Sequence, residues 1–428
     1  MLDIRFVREN KALVQKAAKD KRIQVSVEEV LKLDEHRREL QQAMEGIRKM
    51  RKTAAREKDA KKGKELKQKL QALEKESALV LAKYEPLLQM LPNVPSADTP
   101  VGKDESENRV VRKVGEPREF DFIPLPHWEL GKKLDIIDNE RAAKTSGARF
   151  TFLKREAARM EFALVQFVFQ TLTDEKILAK IIEDAHLSVL PTAFIPIVPP
   201  VFIKPDAFQK MARLEPKDER YYIPSDDAFL IGSAEHTLGA MHMDETFPEA
   251  DLPLRYIGFS TAFRREAGSY GKDTKGILRV HQFDKLEMES FTIAEDSIDE
   301  QNFFVAIQEY FMRALELPYH VVMICTGDMS SPDARQIDIE TWMPGQGKYR
   351  ETHTSDLMTD YQARRLHIRV KRKQGGTQFV HMNDATAFAV GRTLIAILEN
   401  YQQKDGGIAI PLVLQPFMGG LKKISVRS

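Results

Sequence analysis

A single cysteine, Cys325, occurs in the 428 residues, inside the apolar run Val321-Val322-Met323-Ile324-Cys325. One thiol excludes an intramolecular disulfide framework and a cysteine zinc cluster, and it fits a reducing, cytoplasmic setting. No apolar run reaches the roughly 18 residues that a membrane span requires, and Met1-Leu2-Asp3-Ile4-Arg5 does not read as a secretory leader. A soluble protein with no membrane partner is expected. Net charge is also lacking: 65 Lys and Arg stand against 64 Asp and Glu, so only the placement of charge can point to a partner. There is no G-x-x-x-x-G-K-[ST] phosphate loop and no G-x-S-x-G elbow. A bound nucleotide would therefore have to be held on a sheet by arginines. His236, His242, His281, His353 and His381 lack metal-ligand spacing, which makes a zinc site unexpected.

The chain is too long for one ordinary core, so two or more domains are expected. Residues 2–20 suit a short amphipathic helix through Ile4, Val7, Leu13, Val14 and Ala18. From Val27 onward Val30, Leu33, Leu40, Met44, Ile47 and Ala54 fall on heptad seam positions, with Arg37 and Arg51 on two of the seam sites. A second seam runs Leu66, Leu70, Leu73, Ser77, Val80, Tyr84 and Leu87, after a break at Lys61-Lys62-Gly63. Two heptad segments of similar length predict an antiparallel helical hairpin that projects as an arm. Its outer half is basic, including Arg48, Lys52, Arg56, Lys62 and Lys64. Such a face either matches a polyphosphate backbone or simply keeps a coiled coil soluble. The hairpin stops at Leu91-Pro92, which sets a first domain over 1–92, a Pro-, Gly- and acid-rich linker over 93–126, and a globular domain over 127–428.

In that last part, strands are expected at Gly147 to Leu153, Arg255 to Phe263, Leu278 to Met288, Val321 to Thr326 and Gln336 to Trp342. Helices are expected at Ala157 to Asp184, Ser297 to Leu315 and Thr386 to Tyr401. Four prolines between Val189 and Val201 confine any strand there to an edge or an interface. Strand connections are mostly hairpin-like, so the fold class is α+β, an antiparallel sheet flanked by helices behind a coiled-coil hairpin.

Three clusters could carry chemistry. Phe263-Arg264-Arg265-Glu266, a polar loop from Gly268 to Lys275, and Arg279 to Met288 place arginine, glutamate and an aromatic ring on one hairpin. That is either an anion site or a charged, solvated surface. Glu235 follows an apolar run, a position more often a plain strand end than a functional one. Glu340 and Glu351 could hold a hard cation such as Mg²⁺, or pair with Arg364, Arg365 or Lys348. Arg392 falls at a helix start, where free backbone donors add to its pull on an anion.

Along its whole length the chain resembles the seryl-tRNA synthetases of the class II aminoacyl-tRNA synthetases. The resemblance is carried by Pro100-Val-Gly-Lys-Asp104, Gly115-Glu-Pro117, Phe120-Asp-Phe122, His127-Trp-Glu-Leu-Gly131 and Ser260-Thr-Ala-Phe-Arg-Arg-Glu-Ala-Gly268. It continues through His281-Gln-Phe-Asp-Lys285, Thr359-Asp-Tyr-Gln-Ala-Arg364, Val390-Gly-Arg-Thr-Leu394 and Leu398-Glu-Asn-Tyr-Gln402. It implies a homodimer built on the proline-rich run, ATP and Mg²⁺ as cofactors, and serine and tRNA(Ser) as partners. By position, Arg264 would hold the ATP α-phosphate and the serine carboxylate. Glu266 would take the adenine amino group, Phe283 would stack on adenine, and Arg392 would bind the γ-phosphate. Glu351 and Thr354 would bind the metal, and Glu235 and Glu287 would face the serine ammonium and hydroxyl. Arg264, Glu351 and Arg392 form the implied catalytic set, and the basic arm would grip the long variable arm of tRNA(Ser).

The amino-acid side departs from the family pattern. Ser233 stands where threonine is usual, Ala262 where cysteine is, and Asp356 where asparagine is. Asp384-Ala385-Thr386 replaces an Asn-Gly-Ser or Asn-Ala-Thr triplet. Thr386 keeps the hydroxyl, but an ionised Asp384 can only accept. The swaps are either tolerated drift in a serine pocket or the mark of altered or analogue-resistant specificity. A non-catalytic tRNA-binding or regulatory module, or loading of a carrier protein, fits the retained ATP contacts and the basic arm less well.

Overall fold

The structure is a computed structural model that describes residues 1–267 and 275–427. The glycine-rich loop expected from Gly268 to Lys275 falls, apart from Lys275, outside the described residues. The chain divides into two compact units, residues 1–95 with 330–332 and residues 96–329 with 333–428.

In the first unit four helices follow in order: α1 (Ile4–Glu9), α2 (Lys11–Asp20), α3 (Val27–Arg56) and α4 (Ala60–Met90). The one helix expected over 2–20 is two, because Asn10 leaves helical geometry and turns its side-chain amide onto the Phe6 carbonyl. Ser26 starts α3 by accepting from the Glu29 backbone N–H at 3.2 Å, a cap worth about 1 kcal/mol. The turn between α3 and α4 comes at Glu57 to Asp59, earlier than the expected break at Lys61 to Gly63. Lys58 takes the left-handed conformation there, and Asp59 caps α4 by accepting from the Lys62 N–H at 2.9 Å. Lys61, Lys62 and Gly63 are therefore the first turn of α4.

The seam packs as the heptads require: Val30, Leu40, Met44, Ile47, Ala54, Leu66, Leu70, Val80 and Tyr84 are buried. At its end Leu88, and not Leu87, is the buried residue. Arg37 is tolerated on the seam because Asp34, fully buried, accepts from Arg8, Arg37 and Arg38 at 2.8, 2.9 and 3.2 Å. The same guanidinium lies over the Tyr84 ring.

The second unit is built on an eight-stranded sheet. Its strands are β1 (Arg109–Val114), β2 (Ile195–Ile197), β3 (Leu254–Phe263), β4 (Gln282–Thr292), β5 (Tyr319–Met323), β6 (Arg335–Met343), β7 (Lys348–Thr359) and β8 (His381–Ala389). Their spatial order is β1-β5-β6-β7-β8-β4-β3-β2. Every pairing is antiparallel except β2 on β3, so the proline-rich run supplies a short parallel edge strand. The stretch 93–126, expected to hold no regular element, contains the opposite edge strand, β1. An exposed, charge-rich sequence such as Arg109–Val114 gives no buried alternation to read, and pairing with β5 is what makes it a strand.

Four helices cover the core: α5 (Arg155–Leu172), α6 (Glu175–Asp184), α7 (Ser297–Ala314) and α8 (Val390–Asn400). The long helix expected over 157–184 breaks at Thr173, where Asp174 caps α6 by accepting from the Lys176 N–H. The helix expected from Thr386 begins only at Val390. Thr386, Phe388 and Ala389 stay in β8, paired with Glu287, Leu286 and Lys285 of β4, so ladder pairing overrides the helical pattern. Leu286 and Met288 pack with Leu164, Phe303 and Phe311 in the main core. By the two-residue period of a strand, Lys285, Glu287 and Glu289 point to the other face. All three are buried nonetheless, and that face carries the site.

Candidate active site

At one end of this face, Arg264 follows β3 and Phe283 opens β4. Arg264 donates its backbone N–H to the His281 carbonyl at 3.0 Å and its Nε to the Gly232 carbonyl at 3.1 Å. Its guanidinium then lies 5.4 Å above the Phe283 ring. One bond fixes the backbone and the other the side chain, which leaves the outer nitrogens of the fork next to an aromatic surface. Glu266 belongs to the same hairpin and accepts from Arg279 at 3.0 Å. Farther across the sheet, Arg392, in the first turn of α8, holds the carboxylate of Glu351 in β7 at 2.8 Å and its carbonyl at 2.9 Å.

A cavity of about 290 Å³ is lined by Arg279, Arg350, Arg392, Asp338, Glu340 and Glu351, among others. Burial, with Glu351 nearby, pushes the Asp338 and Glu340 carboxyls above the usual range. Thr354 faces Asp338 across the ladder, and its hydroxyl accepts from Gln336 and donates to Asp356. Carboxylates interleaved with arginines are the donor set that a polyphosphate and a hard cation need together.

The other end of the face is crowded with carboxylates. Ser233 donates its hydroxyl to Glu287 at 2.9 Å and accepts from Lys285 at 3.1 Å. Lys285 also pairs directly with Glu287. Glu235 opens the short helix Glu235–Leu238, and one of its oxygens lies 3.0 Å from Nε of Arg213. The Arg213 Nη2 stands 3.3 Å from Asp356 and 3.4 Å from both Asp384 and Asp333. Its backbone carbonyl accepts two bonds from Arg220, at 2.8 and 3.2 Å, which fixes the segment that carries it.

Across three adjacent strands Glu289 faces Asp384, which faces Asp356. Burial drives the carboxyls of Glu289, Asp384 and Asp356 well above the usual range, and the like charges of their neighbours add to it. Glu235 behaves oppositely. Burial raises it, but Arg213, His236, Lys285 and Arg264 together outweigh that and hold it well below the carboxylate range. Thr386 lies beside Glu287 in the next strand.

These placements sort the expected residues. Arg264, Glu266 and Phe283 share one hairpin, Arg392 meets Glu351, and Ser233, Glu235, Glu287 and Asp384 converge. Arg48, Lys52, Arg56, Lys62 and Lys64 are exposed in the first unit, Arg48 paired with Glu74 at 3.4 Å and Lys62 with Glu57 at 4.0 Å. Glu351, offered Arg364, Arg365 or Lys348 as partners, takes Arg392 instead, while Arg364 pairs with Asp360.

Residues 1–95 match the seryl-tRNA synthetase N-terminal domain, and residues 220–401 match the class II tRNA synthetase core domain (G, H, P, S and T). The serine–tRNA ligase of Coprothermobacter proteolyticus is 39% identical over 98% of this chain and 100% of its own length. This chain belongs to the seryl-tRNA synthetase family. The serine–tRNA ligase of Thermodesulfovibrio yellowstonii is 38% identical over 98% of this chain and 99% of its own. Among solved structures, the seryl-tRNA synthetase of Pyrococcus horikoshii complexed with ATP superposes with a TM-score of 0.88 at 34% identity, covering 100% of both chains. The cytoplasmic serine–tRNA ligase of Naegleria fowleri in complex with AMP gives 0.86 at 31%, covering 100% of this chain and 99% of that one.

Three residues of the carboxylate-rich end, Arg213, Glu289 and Asp333, belong to none of the motifs that the sequence presents. Glu289 could have been found, since it stands two residues beyond Glu287 on the same face of one strand. Arg213 lies in the irregular stretch Met211-Ala212-Arg213-Leu214 and Asp333 precedes β6, so no periodicity marks either.

Proposed function

We propose that the protein activates serine with ATP and transfers the seryl group to the 3′ end of tRNA(Ser). The observation that carries this reading is the pairing, on one sheet face, of an arginine-over-aromatic nucleotide end with a carboxylate-lined end that suits an ammonium. The serine carboxylate attacks the α-phosphorus as the bond to the β-phosphate oxygen breaks and pyrophosphate leaves. A ribose hydroxyl of the terminal nucleotide then attacks the seryl carbonyl and AMP departs.

Arg264 neutralises charge on the α-phosphoryl oxygens as it develops, Arg392 holds the distal phosphate, and Phe283 stacks on the adenine with Glu266 at its amino group. Glu235 and Glu287 receive the serine ammonium and hydroxyl. Because these groups are already fixed by their own hydrogen bonds, they reorganise little during the reaction. No protein nucleophile is required. Glu351, Thr354 and the Asp338 and Glu340 carboxyls beside them fit Mg²⁺, which would add positive charge along the phosphates.

The exposed lysines and arginines near the α3–α4 turn are read as the tRNA contact. Leu190, Ile195, Val198 and Phe202, apolar and exposed around edge strand β2, are read as the surface of a homodimer. The lone, buried Cys325 suits a cytoplasmic enzyme. Serine-dependent exchange of pyrophosphate into ATP tests the reading: exchange is expected with serine and Mg²⁺, and none would leave only a tRNA-binding module.

A further inference from the structure

The wall around Glu287 holds more carboxyl groups than a zwitterionic substrate uses. Glu235, Glu287 and Asp384 present buried carboxylate oxygens within 4.8 Å of one another. Three N–H···O bonds of about 2.8 Å from one nitrogen set their acceptors about 4.6 Å apart. One ammonium can thus donate to all three, as the α-ammonium of any amino acid would. Arg213 and Lys285 already offset two of those charges, and the α-ammonium offsets the third.

Glu289, Asp356 and Asp333 remain. Glu289 is 1% exposed, opposes Asp384 in the ladder, and neither of its oxygens has a hydrogen-bond partner among the described residues. Buried like charges facing each other across a ladder are costly until a proton or a cation joins them. Serine brings a hydroxyl and no charge. A divalent ion on the same carboxylates would sit against the Arg213 and Lys285 cations, which disfavours it.

On the reading of this pocket as the amino-acid site, we propose that it accepts, beside serine, a short diamino acid whose side chain ends in a second ammonium. Glu289 and Asp384 receive that ammonium. Glu289 lies one pair beyond Glu287, about 7 Å along the strand, which suits a side chain of one or two methylenes. The Arg213 guanidinium, spanning Glu235 to Asp384 and Asp356, repels a longer cationic chain such as that of lysine. The chemistry is that of serine activation: the α-carboxylate attacks the α-phosphorus and pyrophosphate leaves.

The test is pyrophosphate exchange by the full chain with serine, homoserine, 2,3-diaminopropionate, 2,4-diaminobutyrate and lysine. One of the two short diamino acids is expected to reach a kcat/KM within about tenfold of serine, with lysine and homoserine about 100-fold lower. In Glu289→Gln the diamino-to-serine ratio should fall about tenfold or more, and in Asp384→Asn likewise, whatever the absolute rate of each variant. Exchange with serine but neither short diamino acid overturns the proposal and leaves the serine reading standing. A ratio unmoved in both variants overturns it too. Exchange with a diamino acid but not with serine upholds the proposal and overturns the serine reading, and no exchange with any amino acid overturns both.

Discussion

The two ends of one sheet face solve opposite electrostatic problems. At the end proposed for the nucleotide, arginines project from backbone-anchored positions toward space that an anion can enter, and the carboxylates of Glu266 and Glu351 each steady an arginine. At the amino-acid end the carboxylates outnumber the cations, and one buried guanidinium, Arg213, is shared among Glu235, Asp333, Asp356 and Asp384. On the proposed function, the first end would stabilise charge that appears during the reaction, and the second would select what enters before it.

If that contrast is right, removing the shared cation should cost more than removing any catalytic one. Arg213→Met leaves four carboxylates around an empty position, and breaking a buried ion pair from one side costs about 3–5 kcal/mol. Urea denaturation should show a loss of that order, and adding Asp384→Asn should restore part of it by removing one of the stranded charges. An unchanged midpoint would mean that the carboxyls are already neutral.

Arg264→Ala acts at the other end and should spare the fold. Losing a donor aimed at developing charge costs about 100- to 1,000-fold in kcat. Serine-dependent exchange should drop by that factor, with a denaturation midpoint near that of the parent chain. A smaller change is expected from the first unit: with Lys52, Lys62 and Lys64 all changed to Ala, the KM for tRNA should rise about tenfold and the salt slope of tRNA binding should fall by about 2–3. Exchange in the absence of tRNA should keep its rate.

The mildest test concerns Glu161, which lines a cavity of about 180 Å³ with Phe283 and Asp284. Burial first, and then the Asp284 carboxylate, push its carboxyl from an ordinary 4.5 up to about 8. The folded chain therefore keeps a proton that the unfolded chain has lost, so stability falls as pH rises from about 4.5 to about 8 and levels beyond it. Glu161→Gln should flatten that part of the curve of melting temperature against pH.

The same contrast governs how much of the molecule could be read in advance. The coiled-coil seam, the α+β class and the strand pair that carries Phe263-Arg264-Arg265-Glu266 follow from periodicity, because local pattern determines them. Element ends were harder. Asn10, Asp59 and Asp174 each stop or start a helix through a single local hydrogen bond, and Thr386 stays in a strand because β4 pairs with it. The Asp384 and Asp356 departures were visible, but their meaning was not. Arg213 comes from more than 140 residues away to meet them, as the Arg213–Asp356 and Arg213–Asp384 separations of 143 and 171 residues show, and no local pattern announces such a contact.

The central claim is that an intact nucleotide end and an acid-rich amino-acid end form one working synthetase site. Formation of seryl-tRNA from purified tRNA(Ser), ATP, Mg²⁺ and labelled serine tests it most directly. The account predicts ester-linked serine on the 3′ end of tRNA, formed about 100- to 1,000-fold more slowly in Arg264→Ala. Tight tRNA binding with no serine on the tRNA at any enzyme concentration would contradict it.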